Sequence, residues 1–120
     1  ALVAGGLPVL EVTLRTAAAL EGMRRIAAEV EGAVLGAGTV LAPADLEASA
    51  AAGCSFAISP GATPALYHAA DASPIAWLPA VATASEVMQG LVHGHQRFKF
   101  FPAVSSGGIP ALKGFAGPFP

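Results

Sequence analysis

Lys99 is one of only two lysines in the chain, and it sits in the stretch Phe98-Lys99-Phe100-Phe101-Pro102. On a strand, alternation turns Lys99 away from the side that takes Phe98 and Phe100 and toward the opposite face of the sheet. An ammonium is disfavoured on a water-poor interior face, and the neutral amine is the form that attacks a carbonyl carbon. An exposed lysine on an edge strand is the competing reading of the same stretch. Lys113 lies in a helical segment and reads as a solvated residue.

A second group stands near the start. Val9, Glu11, Thr13 and Arg15 share one face of a strand, and Leu10, Val12 and Leu14 share the other. The first face carries a carboxylate able to move protons and a guanidinium able to grip a carboxylate with two hydrogen bonds. Charged side chains are rarely buried without partners, so a structural Glu11–Arg15 ion pair is the alternative. Thr39 follows Gly36-Ala37-Gly38, where the glycines let a ligand approach the backbone. Ser59-Pro60-Gly61 reads as a plain strand-to-loop turn. His93-Gly94-His95 lacks a third ligand and reads as a surface turn rather than a metal site. Cys54 is the only cysteine, which excludes an intrachain disulfide and a multi-cysteine zinc site. It reads as a small hydrophobe at the start of a strand, and Trp77 as barrel packing.

These residues need elements to hold them. Strands are expected at Pro8–Leu14, Val34–Val40, Ser55–Ser59, Ile75–Pro79 and Arg97–Phe101. Between them, Thr16–Glu31 carries Leu20, Met23, Ile26, Ala27 and Val30 at helical spacing, with Thr16 as its cap and Gly32 as its stop. Ala42–Ala52, Thr63–Ala72 and Thr83–His93 follow the same plan, Thr83 or Ser85 capping the last. A short helix is expected at Pro110–Phe115. Thr39, Ser59, Pro79 and Lys99 recur at intervals of twenty, each at the C-terminal end of its strand, with Glu11 in the comparable place. That repeat points to parallel strands joined by helical crossovers, and a β/α barrel puts its chemistry at these strand ends. A doubly wound open sheet is the alternative, but Glu11–Thr16 lacks the glycine-rich turn such sheets place after their first strand.

Composition agrees. The chain is 54% hydrophobic and 12% charged, far too apolar for disorder and rich enough for strands covered on both faces. A net charge of −2 gives no case for nucleic acid or an anionic membrane. No apolar run approaches the ~20 residues that span a bilayer. The N-terminal ALVAGGLPVL has no basic leader or cleavage pattern, so a soluble, cytoplasmic protein is expected. Residues 1–120 are expected to form one partial (β/α)8 TIM-barrel domain, about five of eight units. The first strand and the last two are expected to be absent, the chain opening in a helix end at Ala1–Gly6 and stopping at Gly117–Pro120.

Four blocks in order and spacing carry a resemblance: Glu11-Val12-Thr13-Leu14-Arg15-Thr16, Gly36-Ala37-Gly38-Thr39-Val40-Leu41, Phe56-Ala57-Ile58-Ser59-Pro60-Gly61 and Phe98-Lys99-Phe100-Phe101-Pro102-Ala103. Together they resemble the class I 2-keto-3-deoxy-6-phosphogluconate (KDPG) aldolases, many of which also handle 4-hydroxy-2-oxoglutarate. The resemblance implies a Schiff-base lyase that uses no metal or other cofactor, acts on a small 2-keto acid and assembles as a homotrimer. It implies Lys99 as the Schiff-base lysine and Glu11 as the general acid/base. Arg15 and Thr39 would hold the pyruvate carboxylate, and Pro79 and Phe101 would line the pocket around the imine. Ala80 stands where such enzymes commonly have glycine, and Val104 where an acidic residue is common. The alternatives are a 2-keto-3-deoxy-6-phosphogalactonate aldolase, and a non-catalytic or truncated barrel that only binds keto acids or packs in an oligomer.

Overall fold

Helical and extended stretches alternate along the chain, and several of the changes fall at a glycine or proline, among them Gly32, Pro43, Gly53 and Pro64. The computed structural model describes residues 1–119, so Pro120, where the expected stop falls, lies outside the described residues. A 3-10 turn at Val3–Gly5 precedes β1 (Val9–Thr13), α1 (Ala19–Glu29), β2 (Val34–Gly38), α2 (Pro43–Ala51), β3 (Phe56–Ile58) and α3 (Pro64–Asp71). Then come β4 (Ala76–Leu78), β5 (Ala80–Val81), α4 (Ala84–Val92), β6 (Lys99–Phe100) and α5 (Gly108–Phe115).

β1, β2, β3 and β4 lie side by side in chain order, all parallel, and β5 pairs with β6 in a second parallel ladder. A doubly wound sheet reverses its strand order at a switch point. No reversal occurs here, so the strands form an arc of a β/α barrel. The fourth expected strand, Ile75–Pro79, is corrected: it continues past Pro79 as β5, and Pro79 interrupts rather than ends it. Proline has no N–H to give a ladder. Its carbonyl still accepts from the Lys99 N–H at 2.9 Å, and the next contact runs from Phe101 N–H to the Val81 carbonyl at 3.2 Å. The fifth expected strand is accordingly shortened to Lys99–Phe100.

The core lies between the sheet and its helices. Leu35 and Ala37 of β2, Ala57 of β3 and Trp77 of β4 pack against Met23 of α1, Leu46 of α2, and Leu66 and Tyr67 of α3. Leu10, Val12 and Leu14 join this layer, as their parity requires. Cys54 is buried, its Sγ 3.6 Å from the Met23 Sδ, and burial pushes its thiol up from the usual range. Trp77 is barrel packing, as expected, buried in this layer between sheet and helices and edge-on to Tyr67 at 5.2 Å.

Two expectations about α1 are corrected. Ala18, with no side-chain oxygen, is the N-cap, because the chain turns through Leu14–Thr16 first and the Thr16 carbonyl accepts from Ala19 N–H. Ala27 and Val30 stay exposed, while Ala19 and Met23 fill the contact. The other caps follow sequence. Thr63 Oγ1 accepts from Leu66 N–H at 3.2 Å. At α4, Thr83 Oγ1 accepts from Glu86 N–H at 3.3 Å, and Glu86 Oε2 accepts from Ala82 and Thr83 N–H. The Ala82 N–H, and after it the Thr83 hydroxyl and N–H, hold the Glu86 carboxyl below its ordinary range against a partial burial that pushes it up.

α4 docks on the strand that carries Lys99 through one absent side chain. A Cβ at Gly90 would overlap the Phe98 ring and come within 3.2 Å of Tyr67 Oη. Alanine normally gains ~1 kcal/mol over glycine inside a helix. Here the overlap with a packed ring costs about 1–3 kcal/mol. Gly90→Ala is therefore expected to lower the unfolding midpoint in thermal melts; a raised midpoint would show that Phe98 yields freely.

Candidate active site

Glu11 is registered with Gly36, yet its carboxylate lies over Gly38, two residues nearer the C-terminal end of β2. The cause is local. The Phe56 ring from β3 occupies the space above Gly36, and the bare backbone of Gly38 receives the Glu11 carboxylate. The Gly36–Gly38 pair thus admits two protein side chains, which corrects the expectation that it clears room for a ligand.

Thr39, the next residue, has φ 60°, a left-handed conformation that a β-branched residue rarely adopts and that costs of order 1–3 kcal/mol. Its flanks hold it there. Leu14 N–H donates to the Gly38 carbonyl at 2.9 Å, Val40 N–H donates to the Ile58 carbonyl at 3.2 Å, and the Val40 side chain is buried. Such strain concentrates at ligand-binding strand ends.

Lys99 forms the other half. Its N–H is tied to Pro79, and its Nζ stands 4.6 Å from the centre of the Phe101 ring, a cation–π contact. Pro79 is fully buried, so its ring presents no exposed surface, and its carbonyl accepts from the Lys99 N–H. Phe101 is 41% exposed and does offer one. Lys99 is half-buried rather than enclosed, and Glu11 is exposed, because the arc leaves their face open. Ala80, registered with Lys99, is buried, whereas Val104 is 93% exposed.

The structure thus gives two groups at one end of the sheet, Glu11 with Thr39 and Pro79 with Lys99 and Phe101, separated by β3. No hydrogen bond or ion pair joins them among the described residues. Arg15 is exposed on the turn after β1, and the ion pairs present, Arg24–Glu21 and Arg25–Glu29, both lie within α1. The structural Glu11–Arg15 pair is therefore not formed. Ser59, read from sequence as a plain turn residue, is completely buried just after β3, with no partner for its Oγ among the described residues.

Two cavities flank the sheet. One of about 390 Å³, lined by Val40, Pro60, Gly61 and Thr63, opens beside the C-terminal strand ends. The other, about 380 Å³, is lined by Phe56, Trp77, His95 and Arg97 and includes no residue of either group. His93 and His95 are not simple surface residues. His93 stacks on Tyr67 at 4.2 Å and His95 stands edge-on to Trp77 at 5.4 Å. Burial lowers the His95 pKa, Asp71 partly offsets this, and His93 adds to the lowering. Burial likewise raises the Tyr67 phenol, and Glu86 adds to it. Among the described residues no group of three His, Cys, Asp or Glu is placed to hold a metal ion, and no helix is long and apolar enough to cross a membrane.

The family model for KDPG and KHG aldolase matches residues 1–120. The KHG/KDPG aldolase of Escherichia coli K12 is 53% identical over 119 residues, covering 99% of this chain and 56% of that protein. The 2-dehydro-3-deoxy-phosphogluconate aldolase of Zymomonas mobilis is 57% identical over 119 residues, covering 99% and 57%. The chain spans a little over half the length of these relatives. A crystal structure of Legionella pneumophila KDPG aldolase, with pyruvate captured at low pH as a covalent carbinolamine intermediate, superposes with TM-score 0.96 at 48% identity, over 99% of this chain and 58% of that one. A native KDPGal structure matches with TM-score 0.84 at 28% identity, over 99% and 58%. From the whole-length match and the strand order together, the chain belongs to the KDPG and KHG aldolase family.

Proposed function

We propose that the protein containing this chain is a class I aldolase that cleaves 2-keto-3-deoxy-6-phosphogluconate to pyruvate and glyceraldehyde 3-phosphate, and also accepts 4-hydroxy-2-oxoglutarate. The observation that carries the reading is the placement of a lysine amine and a carboxylate at the same end of one parallel arc, both off the apolar core. Lys99 Nζ adds to the C2 ketone to form a carbinolamine, and loss of water leaves a cationic imine. Glu11 accepts the C4 hydroxyl proton, the C3–C4 bond electrons flow into the imine, and the aldehyde departs. Glu11 returns the proton to C3 of the enamine, and water hydrolyses the imine to free pyruvate and Lys99. Arg15 grips the substrate carboxylate as a bidentate partner, Thr39 adds a hydroxyl, and both fix the keto acid for attack. Phe101 covers one side of the amine, and Pro79 holds the strand.

The captured pyruvate intermediate in the Legionella relative supports this chemistry, and 57% against 28% identity favours the gluconate over the galactonate substrate. A cytoplasmic homotrimer completes the proposal. The test is pyruvate release by the complete protein. The gluconate-type substrate should be cleaved fastest, the galactonate-type epimer far more slowly, and EDTA should change neither rate. Binding of pyruvate without cleavage of any of these substrates would favour a keto-acid-binding barrel instead.

A further inference from the structure

We infer that Gly38 is a positioning residue for Glu11: the missing side chain at 38 is what turns the carboxylate toward the reacting end of the barrel. The inference rests on the acid/base role proposed for Glu11. A Cβ built on Gly38 would overlap Glu11 Oε1, lie 2.8 Å from Cδ and 3.1 Å from Cγ, and meet nothing else first. Glu11 faces Gly36 in the ladder, but the Phe56 ring fills that space, so the berth over Gly38 is where the carboxylate goes. The backbone itself does not require glycine. Gly38 is a regular β2 residue, absent from the positive-φ positions, and its carbonyl is held by Leu14 N–H. Alanine at 38 therefore strains no dihedral and displaces the free end of one side chain.

Gly38→Ala in the complete protein should lower kcat about 10²-fold, the typical cost of misplacing a reacting group by ~1 Å. Borohydride trapping of pyruvate on Lys99 should persist, since Arg15, Thr39 and Lys99 keep their places and only the carboxylate of Glu11 is displaced. In a Glu11→Ala background the same substitution should change kcat by less than about twofold, because no carboxylate remains to displace. If Gly38→Ala fails to fold while the double variant folds, the clash with Glu11 is confirmed by stability instead of rate. Equal losses in both backgrounds, no loss in either, or failure of both variants to fold would overturn the inference while leaving the role of Glu11 intact. Full turnover in the Glu11→Ala protein would overturn that role and this inference with it.

Discussion

Pyruvate and borohydride together are expected to attach irreversibly at Lys99 and nowhere else in the complete protein. Borohydride reduces an imine to a stable amine, so the adduct survives digestion and can be placed by peptide mass. Lys113, the second lysine, lies exposed on α5 and serves as the internal control. Lys99→Ala should abolish the adduct and lower turnover by on the order of 10⁴-fold or more, because the proposed mechanism has no route that bypasses the amine. Lys99→Arg should do the same despite keeping the positive charge, since a guanidinium is never deprotonated at working pH. That pair of variants separates nucleophilicity from electrostatics. An adduct on Lys113, or turnover surviving Lys99→Arg, would remove the Schiff-base mechanism.

Glu11→Gln and Arg15→Ala should fail in different ways. The amide keeps the shape of Glu11 but cannot shuttle a proton, so kcat should fall by ~10²–10⁴ while pyruvate still binds and is trapped. Arg15 sits on the turn after β1, clear of any ion pair among the described residues, and its loss would remove the proposed carboxylate grip, present before and during the reaction. Uniform binding of that kind shows as a raised KM with kcat little changed. Steady-state kinetics on both variants decides the matter. A KM effect at Glu11 with a kcat effect at Arg15 would exchange the roles.

Most of the scaffold was legible because it depends on short-range signals. The twenty-residue recurrence of Thr39, Ser59, Pro79 and Lys99 marked the parallel strand–helix repeat, although Pro79 interrupts its strand and Lys99 opens rather than ends β6, and Thr63 and Thr83 marked helix starts by their hydroxyls. What sequence hid depends on neighbours distant in the chain. Pro79 looked like the end of a strand, because nothing local says that Lys99 N–H will hold its carbonyl and let the strand resume. Thr16 looked like a cap, but a further turn, closed by the Ala19 N–H on the Thr16 carbonyl, precedes the helix. The lean of Glu11 toward Gly38 follows from the Phe56 ring, 45 residues away along the chain, so strand parity alone could not reveal it. The histidines of His93-Gly94-His95 were placed on a turn correctly, but their stacking on Tyr67 and Trp77 is set by α3 and β4.

The unreversed order of the strands has a thermodynamic side. β1 to β4 are each paired with the next, and β4 runs on through Pro79 into β5, which pairs with β6, so coupling between β1 and β6 passes through every strand between, as in a stack of repeats. In the proposed complex, a keto acid gripped by Arg15 at one end and bonded to Lys99 at the other would short-circuit that series. Opening anywhere along the arc then disrupts the ligand's grip, so occupancy raises the free energy of local openings in all the intervening strands, by ~2.7 kcal/mol at a hundredfold excess over Kd for openings that abolish binding. Hydrogen-exchange protection gained on binding should therefore extend through β2, β3 and β4 and not stop at the residues that touch the ligand.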